Sequence, residues 1–245
     1  MRKFLSVLLA MAMVLSLTVT GFAIEDTATT REPEVMTEEA TMAGKTVILH
    51  TNDVHGAISG YAKVAALKKA YEAEGAYVLL MDAGDFIQGD PTVSTSEGAT
   101  AVELMNLAGY DVAAPGNHEF DYGMDRAKMV LKEADFPYVS CNWIDLRSGL
   151  RVLPSIKLFN IQGAFVAFVG ITTPETFTKS TPAYFMNAKQ TRYIYDILGG
   201  DDGAKLYDAV QKAIDKAKTL GADYIIGLGH LGVDPSSAPW TSKDV

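Results

Sequence analysis

Short apolar runs rich in β-branched and aromatic residues alternate with helical patterns along residues 45–245. Several of these runs are apolar on both faces, which is typical of strands buried inside a parallel sheet. Strands that alternate with helices predict an α/β domain built around parallel crossovers. The candidate strands are residues 46–50, 77–81, 112–114, 138–141, 165–171 and 224–228.

The clearest helical pattern covers residues 204–220. Leu206, Val210 and Ile214 fall on one face of this helix, charged residues occupy the others, and Gly221 ends it. Similar patterns predict helices at 62–74 and 123–134.

The chain begins with a segment typical of export. Residues 1–23 combine two early basic residues, an apolar run and a small-residue cleavage site, which predicts a signal peptide, with an uncleaved membrane anchor as the alternative. Residues 24–44 are rich in Thr and Glu and predict a flexible acidic leader. Residues 45–245 have the length of one domain with a sizeable core, and we expect an exported protein in the periplasm, at the cell surface or outside the cell.

Charge restricts the partners of the predicted mature chain. Without Arg2 and Lys3, 19 of the 21 basic residues remain against 30 acidic ones, a formal charge of −11. This charge argues against a nucleic-acid partner, and no later segment predicts stable membrane insertion after signal cleavage. The single cysteine, Cys141, lies in an apolar run and is expected in the core.

Polar turns that contain glycine follow four of the predicted strands. The carboxyl ends of strands in an open α/β sheet are where ligands bind, so we expect these turns to converge. Each motif by itself is also typical of a cap or a tight turn. The occurrence of all four motifs directly after strands indicates a functional site. The motifs are Asp53-x-His55, Gly84-Asp85, Asn117-His118 and Gly229-His230.

The donor types in these turns indicate a metal. Carboxylate, imidazole and amide oxygen together suit Mn, Fe, Co or Zn. One carboxylate between two strands can bridge two cations about 3.5–4 Å apart, the spacing found in two-metal hydrolases.

At these residues the chain resembles the calcineurin-like metallophosphoesterases. The strings ILHTNDVHG, MDAGDFIQGD, GNHEFDYG and GADYIIGLGHLGVD are similar to the 5′-nucleotidase branch, which includes UDP-sugar hydrolases and 2′,3′-cyclic phosphodiesterases. The likeness runs from about Lys45 to the end of the chain. It implies a metallophosphatase-type layered α/β sandwich with mixed, largely parallel sheets flanked by helices.

The resemblance also implies roles for individual residues. It implies two divalent cations held by Asp53, His55, Asp85, Asn117 and His230, with Asp85 bridging both.

His118 and Asp121 resemble the catalytic pair of the family, in which the histidine faces the phosphate and the aspartate fixes its tautomer. Glu119 is expected to be structural, and His50 and Asp82 are expected in the core or behind the ligands. The implied reaction is hydrolysis of a phosphate ester or nucleotide by metal-activated water, without a covalent intermediate.

One block of the family pattern is absent from this sequence. Relatives carry a further Gly-His-x-His segment and a C-terminal domain with the nucleoside pocket, whereas no histidine follows His230. We therefore expect a catalytic domain incomplete at its C-terminus, a longer parent protein and impaired activity of this chain. Two alternatives stay open: a secreted metal- or phosphate-binding domain without turnover, and a sulfur-ester hydrolase on the same scaffold.

Overall fold

The computed structural model describes residues 42–245. The predicted signal peptide, 1–23, and all but the last residues of the predicted leader, 24–44, lie outside this range. Residues 42–44 belong to a turn in which the Lys45 N–H donates to the Met42 carbonyl at 3.0 Å. None of the helices within residues 42–245 has both the length and the hydropathy of a membrane span.

The first sheet consists of three parallel strands in the order β1-β2-β3. Its strands are β1 (Thr46–Thr51), β2 (Tyr77–Asp82) and β3 (Val112–Ala113). Strand β2 lies in the middle and is buried from its second residue onward, because neighbouring layers cover both of its faces. Strand β1 forms one edge, where exposed and half-buried residues alternate.

Helices make the crossovers between these parallel strands. Helix α1 (Ser59–Ala73) joins β1 to β2, and helices α2 (Pro91–Thr95) and α3 (Ala99–Ala108) join β2 to β3. The Asp90 carboxylate begins α2 by accepting a hydrogen bond from the Thr92 N–H at 2.8 Å.

The rest of the chain builds two further sheets. A small antiparallel sheet has the order β5-β4-β8, and a mixed sheet has the order β6-β7-β9, with β6 antiparallel and β9 parallel to β7. The strands are β4 (Trp143–Asp145), β5 (Leu150–Arg151), β6 (Ile156–Ile161), β7 (Ala164–Ile171), β8 (Tyr195–Ile197) and β9 (Tyr224–Gly229), and the helices are α4 (Met124–Lys132), α5 (Thr176–Lys179) and α6 (Ala204–Thr219).

Three apolar clusters separate these elements into layers. Leu79 and Met81 of β2 pack with Phe168 of β7 between the first sheet and the mixed sheet. Alternate side chains on β2 point the other way, so Leu80 packs toward the helices. The outer face of the mixed sheet is covered by α6, whose Leu206 is completely buried.

The predicted α/β class with flanked mixed sheets is confirmed. The predicted strand at 138–141 is wrong: Tyr138 makes an isolated bridge to Ala113, and the Cys141 N–H donates to the Gly170 carbonyl at 2.7 Å. This segment therefore crosses from the first sheet to the mixed sheet instead of extending either of them. Cys141 is fully buried, as expected, and burial raises the pKa of its thiol to about 12.

Candidate metal centre

The loops that follow β1 and β2 are joined by backbone hydrogen bonds. The Asp53 N–H donates to the Gly84 carbonyl at 3.0 Å, and the His55 N–H donates to the Asp85 carbonyl at 2.9 Å. Asp53, His55 and Asp85 all have left-handed backbones, with φ of +53°, +45° and +60°. Non-glycine residues adopt this conformation at an energetic cost, so the surrounding hydrogen bonds must hold them there.

The loops that follow β2 and β3 meet at two glycines. Gly84 has a φ of +101°, and a Cβ atom there would lie 2.3 Å from the Gly116 nitrogen. A Cβ on Gly116 would in turn lie 2.3 Å from Oδ1 of Asp85. Any larger side chain at either position would push the loops apart, so the close approach of the two backbones requires glycine.

Asp85 lies at the centre of the site and is only 2% exposed. Its Oδ1 accepts a hydrogen bond from the His118 N–H at 2.8 Å, and its Oδ2 lies 3.1 Å from Nε2 of His230. Burial raises the pKa of the Asp85 carboxyl, but the hydrogen bond and charge of His230 outweigh burial, and the pKa falls below its usual range.

His230 follows β9 and reaches the same point from the other sheet. Its Nδ1 lies 3.0 Å from the Ala83 carbonyl and 3.1 Å from Oδ1 of Asn52, while its Nε2 lies 3.8 Å from Oδ1 of Asp53. Burial opposes protonation of His230, but the Asp85 carboxylate outweighs burial and raises the pKa of His230 to about 9.

His55 completes the group of nitrogen and oxygen donors. Its Nε2 lies 3.5 Å from Oδ1 of Asp53 and 3.9 Å from Oδ2 of Asp85. Two sets of possible ligand atoms each fall within 4.8 Å of one another, namely His55 with Asp85 and His118, and Asp53 with Asp85 and His230. Asp85 belongs to both sets, which is the placement that a bridging carboxylate requires.

These residues fit a divalent cation. The Ala83 carbonyl accepts the proton of Nδ1 when His230 is neutral, so the lone pair of Nε2 then faces two carboxylates. That contact is repulsive unless a proton or a metal ion lies between the groups. Nitrogen and carboxylate donors without sulfur suit Mn, Zn, Fe or Co.

His118 and Asp121 form a tight pair beside this group. Nδ1 of His118 lies 2.6 Å from Oδ2 of Asp121, and this hydrogen bond raises the pKa of His118 against the opposing effect of burial. His118 begins a short 3₁₀ helix, His118–Phe120, which is anchored by the fully buried ring of Phe120 packed edge-on against Trp143 at a centroid distance of 4.9 Å.

Asn117 is buried on the same loop, directly before His118, and is 3% exposed. The structure thus brings the loops that carry all seven predicted site residues to one end of the sheets. The individual roles of these residues stay predictions.

The sequence profile of the calcineurin-like phosphoesterases matches residues 46–245, which include every one of these loops. This chain belongs to the calcineurin-like phosphoesterase family. Calcineurin-like phosphoesterases use divalent metal ions, in agreement with the donor set described above.

This calcineurin-like phosphoesterase is similar to proteins named as 5′-nucleotidases. The snake venom 5′-nucleotidase of Gloydius brevicauda is 33% identical over 207 residues, 76% of this chain and 32% of the relative. The 5′-nucleotidase of Mus musculus is 33% identical over 219 residues, 80% of this chain and 35% of the relative. The structure of the 5′-nucleotidase precursor from Thermus thermophilus aligns with a TM-score of 0.62 and 27% identity, over 76% of this chain and 37% of that one. The chain therefore spans about a third of the length of these relatives.

Sequence reasoning missed several supporting contacts of this phosphoesterase. Asp82 is fully buried and accepts hydrogen bonds from Thr51 Oγ1 at 2.6 Å and from the Gly84 N–H at 2.9 Å, and burial raises the pKa of its carboxyl to about 7. The expectation for Asp82 is thus met, whereas that for His50 is wrong, because His50 is exposed on the edge strand β1. The contact of His230 with the Ala83 carbonyl left no signal in the sequence, since any residue supplies a carbonyl.

Proposed function

We propose that this calcineurin-like phosphoesterase hydrolyses phosphate esters with the help of two divalent cations, and that its substrates are 5′-nucleotides or related nucleotides. The observation that carries the proposal is the convergence of donor atoms from Asp53, His55, Asp85 and His230 beside the His118–Asp121 pair. The relatives named as 5′-nucleotidases support the substrate class.

Asp53, His55 and Asp85 would hold one cation, and Asp85, Asn117 and His230 the other. When bound, such cations lower the pKa of water into the neutral range and neutralise the charge of phosphate oxygens. The ligand residues themselves are held by the protein, because backbone hydrogen bonds fix Asp53 and His55, and the Ala83 carbonyl orients His230. This order before binding reduces the entropy lost when the site is filled.

His118 would act on the phosphate or on the leaving oxygen. Asp121 accepts the proton on Nδ1, so the imidazole is held in one orientation with Nε2 available to a substrate. The carboxylate of Asp121 also favours the protonated imidazole, which can stabilise negative charge or donate a proton to the departing alkoxide.

The second cation would be bound more weakly than the first. It shares Asp85 with its neighbour and otherwise depends on one amide oxygen and one imidazole, Asn117 and His230. We therefore propose low activity for residues 24–245 by themselves.

We also propose export of the protein, which is supported by residues 1–23 and by relatives described as a venom enzyme and as a precursor.

The test is the release of phosphate from a 5′-nucleotide by the purified full chain, with and without added Mn²⁺, together with its metal content. Phosphate release that depends on Mn²⁺ supports the proposal. Binding of Mn²⁺ without any turnover of 5′-nucleotides or other phosphate esters would favour a secreted metal- or phosphate-binding domain. Brisk turnover by residues 24–245 alone would contradict the claim of low activity.

A further inference from the structure

Glu119 is a buried carboxylate that the proposed reaction does not use. It is 1% exposed and follows His118 in the short 3₁₀ helix. Burial is the main reason that the pKa of its carboxyl rises to about 8, and the nearby charge of Asp85 adds to this shift. Burying such a group is costly unless its oxygens are satisfied by hydrogen bonds.

Both oxygens of Glu119 accept hydrogen bonds from backbone N–H groups. Oε1 accepts from Phe86 at 3.0 Å, and Oε2 accepts from Asp85 at 3.0 Å and from Gly116 at 2.6 Å. The first two donors belong to the loop after β2, whereas Gly116 belongs to the loop after β3. One side chain therefore ties together the two loops that carry the central ligand and the predicted ligand Asn117.

Asp85 is held by this arrangement through both its backbone and its side chain. Its N–H donates to Glu119, and its Oδ1 accepts from the His118 N–H at 2.8 Å. Oδ2 is left to face His230 at 3.1 Å and His55 at 3.9 Å. Since Asp85 has a left-handed backbone at φ +60°, these contacts also maintain a conformation that the residue would otherwise leave.

We propose that Glu119 is a positioning residue, whose carboxylate fastens the loop of Asp85 to the loop of Asn117 and His118 and so directs Oδ2 of Asp85 into the metal centre before any metal binds. This inference rests on the proposed function, because it assigns Asp85 the role of a shared ligand.

The three hydrogen bonds from the Asp85, Phe86 and Gly116 N–H groups to Glu119, here called the clamp, require a carboxyl group on a side chain of this length. Three N–H donors converge on two oxygens, and both oxygens of a carboxyl group can accept hydrogen bonds. A glutamine would turn an NH₂ group toward one set of N–H donors, and the clash of donors would open that side of the clamp. An aspartate is shorter by one methylene and cannot reach both loops from the same backbone position.

The test compares Glu119→Gln in the full chain with Asp223→Asn, which also changes a carboxyl group into an amide. Asp223 is exposed, its Oδ2 accepts a hydrogen bond from the Phe165 N–H at 2.8 Å, and it lies directly before β9, at the opposite end of this strand from His230. Mn²⁺ affinity is measured by calorimetry, and spin coupling between bound Mn²⁺ ions by electron paramagnetic resonance. We expect Glu119→Gln to weaken Mn²⁺ binding by about 10- to 100-fold and to lose the coupled signal. Asp223→Asn is expected to keep both properties.

Unchanged Mn²⁺ affinity and an unchanged coupled signal in folded Glu119→Gln would overturn the inference. If this variant does not fold, hydrogen exchange of the metal-free wild-type chain decides instead. The amides of Asp85, Phe86 and Gly116 should then exchange slowly, and exchange as fast as in an exposed turn would contradict the clamp. Failure of the proposed function gives a different result. If the wild-type chain binds Mn²⁺ without releasing phosphate, and Glu119→Gln binds Mn²⁺ more weakly, the proposed reaction is contradicted and the positioning role of Glu119 is supported.

Discussion

Nε2 of His230 lies 3.1 Å from Oδ2 of Asp85, although His230 follows a strand of the mixed sheet and Asp85 follows a strand of the first sheet. With Nδ1 bonded to the Ala83 carbonyl, the contact is favourable only when Nε2 carries a proton or a metal ion. The two sheets thus meet at a position where a proton or a metal ion on Nε2 makes the contact favourable.

Divalent metal should therefore stabilise the folded chain. A cation that binds only the folded state at 100 times its dissociation constant adds about 2.7 kcal/mol to the free energy of unfolding. We expect the melting temperature to rise with added Mn²⁺ and to return to the metal-free value with a chelator, as measured by circular dichroism. The same titration on Asp85→Asn should give a much smaller rise, and an equal rise would place the metal elsewhere.

His118→Ala separates catalysis from binding. Removing an acid–base group lowers the rate by about 10²- to 10⁴-fold, while Mn²⁺ binding should change far less because His118 is not among the proposed ligands. Steady-state phosphate release and calorimetry measure the two effects. His50→Ala is the matched control, since this histidine is exposed on β1. Loss of Mn²⁺ binding in His118→Ala would instead make His118 a ligand.

Asp121→Asn tests the orientation of His118. The amide removes the negative charge that stabilises the imidazolium and can present an N–H to Nδ1, so the productive orientation is lost. We expect kcat to fall by about 10- to 100-fold with little change in KM. Asp125→Asn, an exposed carboxylate in the first turn of α4, should keep the wild-type kcat. An unchanged kcat in Asp121→Asn would remove Asp121 from the catalytic pair.

Gly84→Ala tests the close approach of the loops. Gly163 has a similar backbone, φ +93° against +101° for Gly84, but a Cβ there meets nothing within 4 Å. Both substitutions force alanine into a left-handed conformation, at a cost of about 1–3 kcal/mol. Only Gly84→Ala adds the clash with Gly116 and should also weaken Mn²⁺ binding. Equal losses of stability in urea unfolding, with unchanged Mn²⁺ binding, would show that the contact between the loops is unimportant.

The sequence predicted the parts of the fold that carry strong periodic signals. The apolar runs that became β1, β2, β3, β7 and β9, and the amphipathic helix α6, are recognisable because packing against neighbouring layers selects their residues. Strands β4, β5 and β8 have two or three residues each, and β6 mixes polar and apolar residues, so none of them leaves a reliable pattern. The segment 138–141 is as apolar as a strand because it passes between two sheets, and its burial comes from that position.

The candidate site residues were predicted from the sequence alone, because carboxylates, imidazoles and amides in glycine-containing turns indicate a metal site and the family resemblance implies their individual roles, which stay predictions. Tertiary structure decided how these residues are held. The bonds of Glu119 to the N–H groups of Asp85 and Phe86, the contact of His230 with the Ala83 carbonyl and the approach of Gly84 to Gly116 join residues that are distant in the chain. Such contacts use backbone atoms that every residue possesses, so they leave no mark in the order of side chains and arise only when the sheets pack.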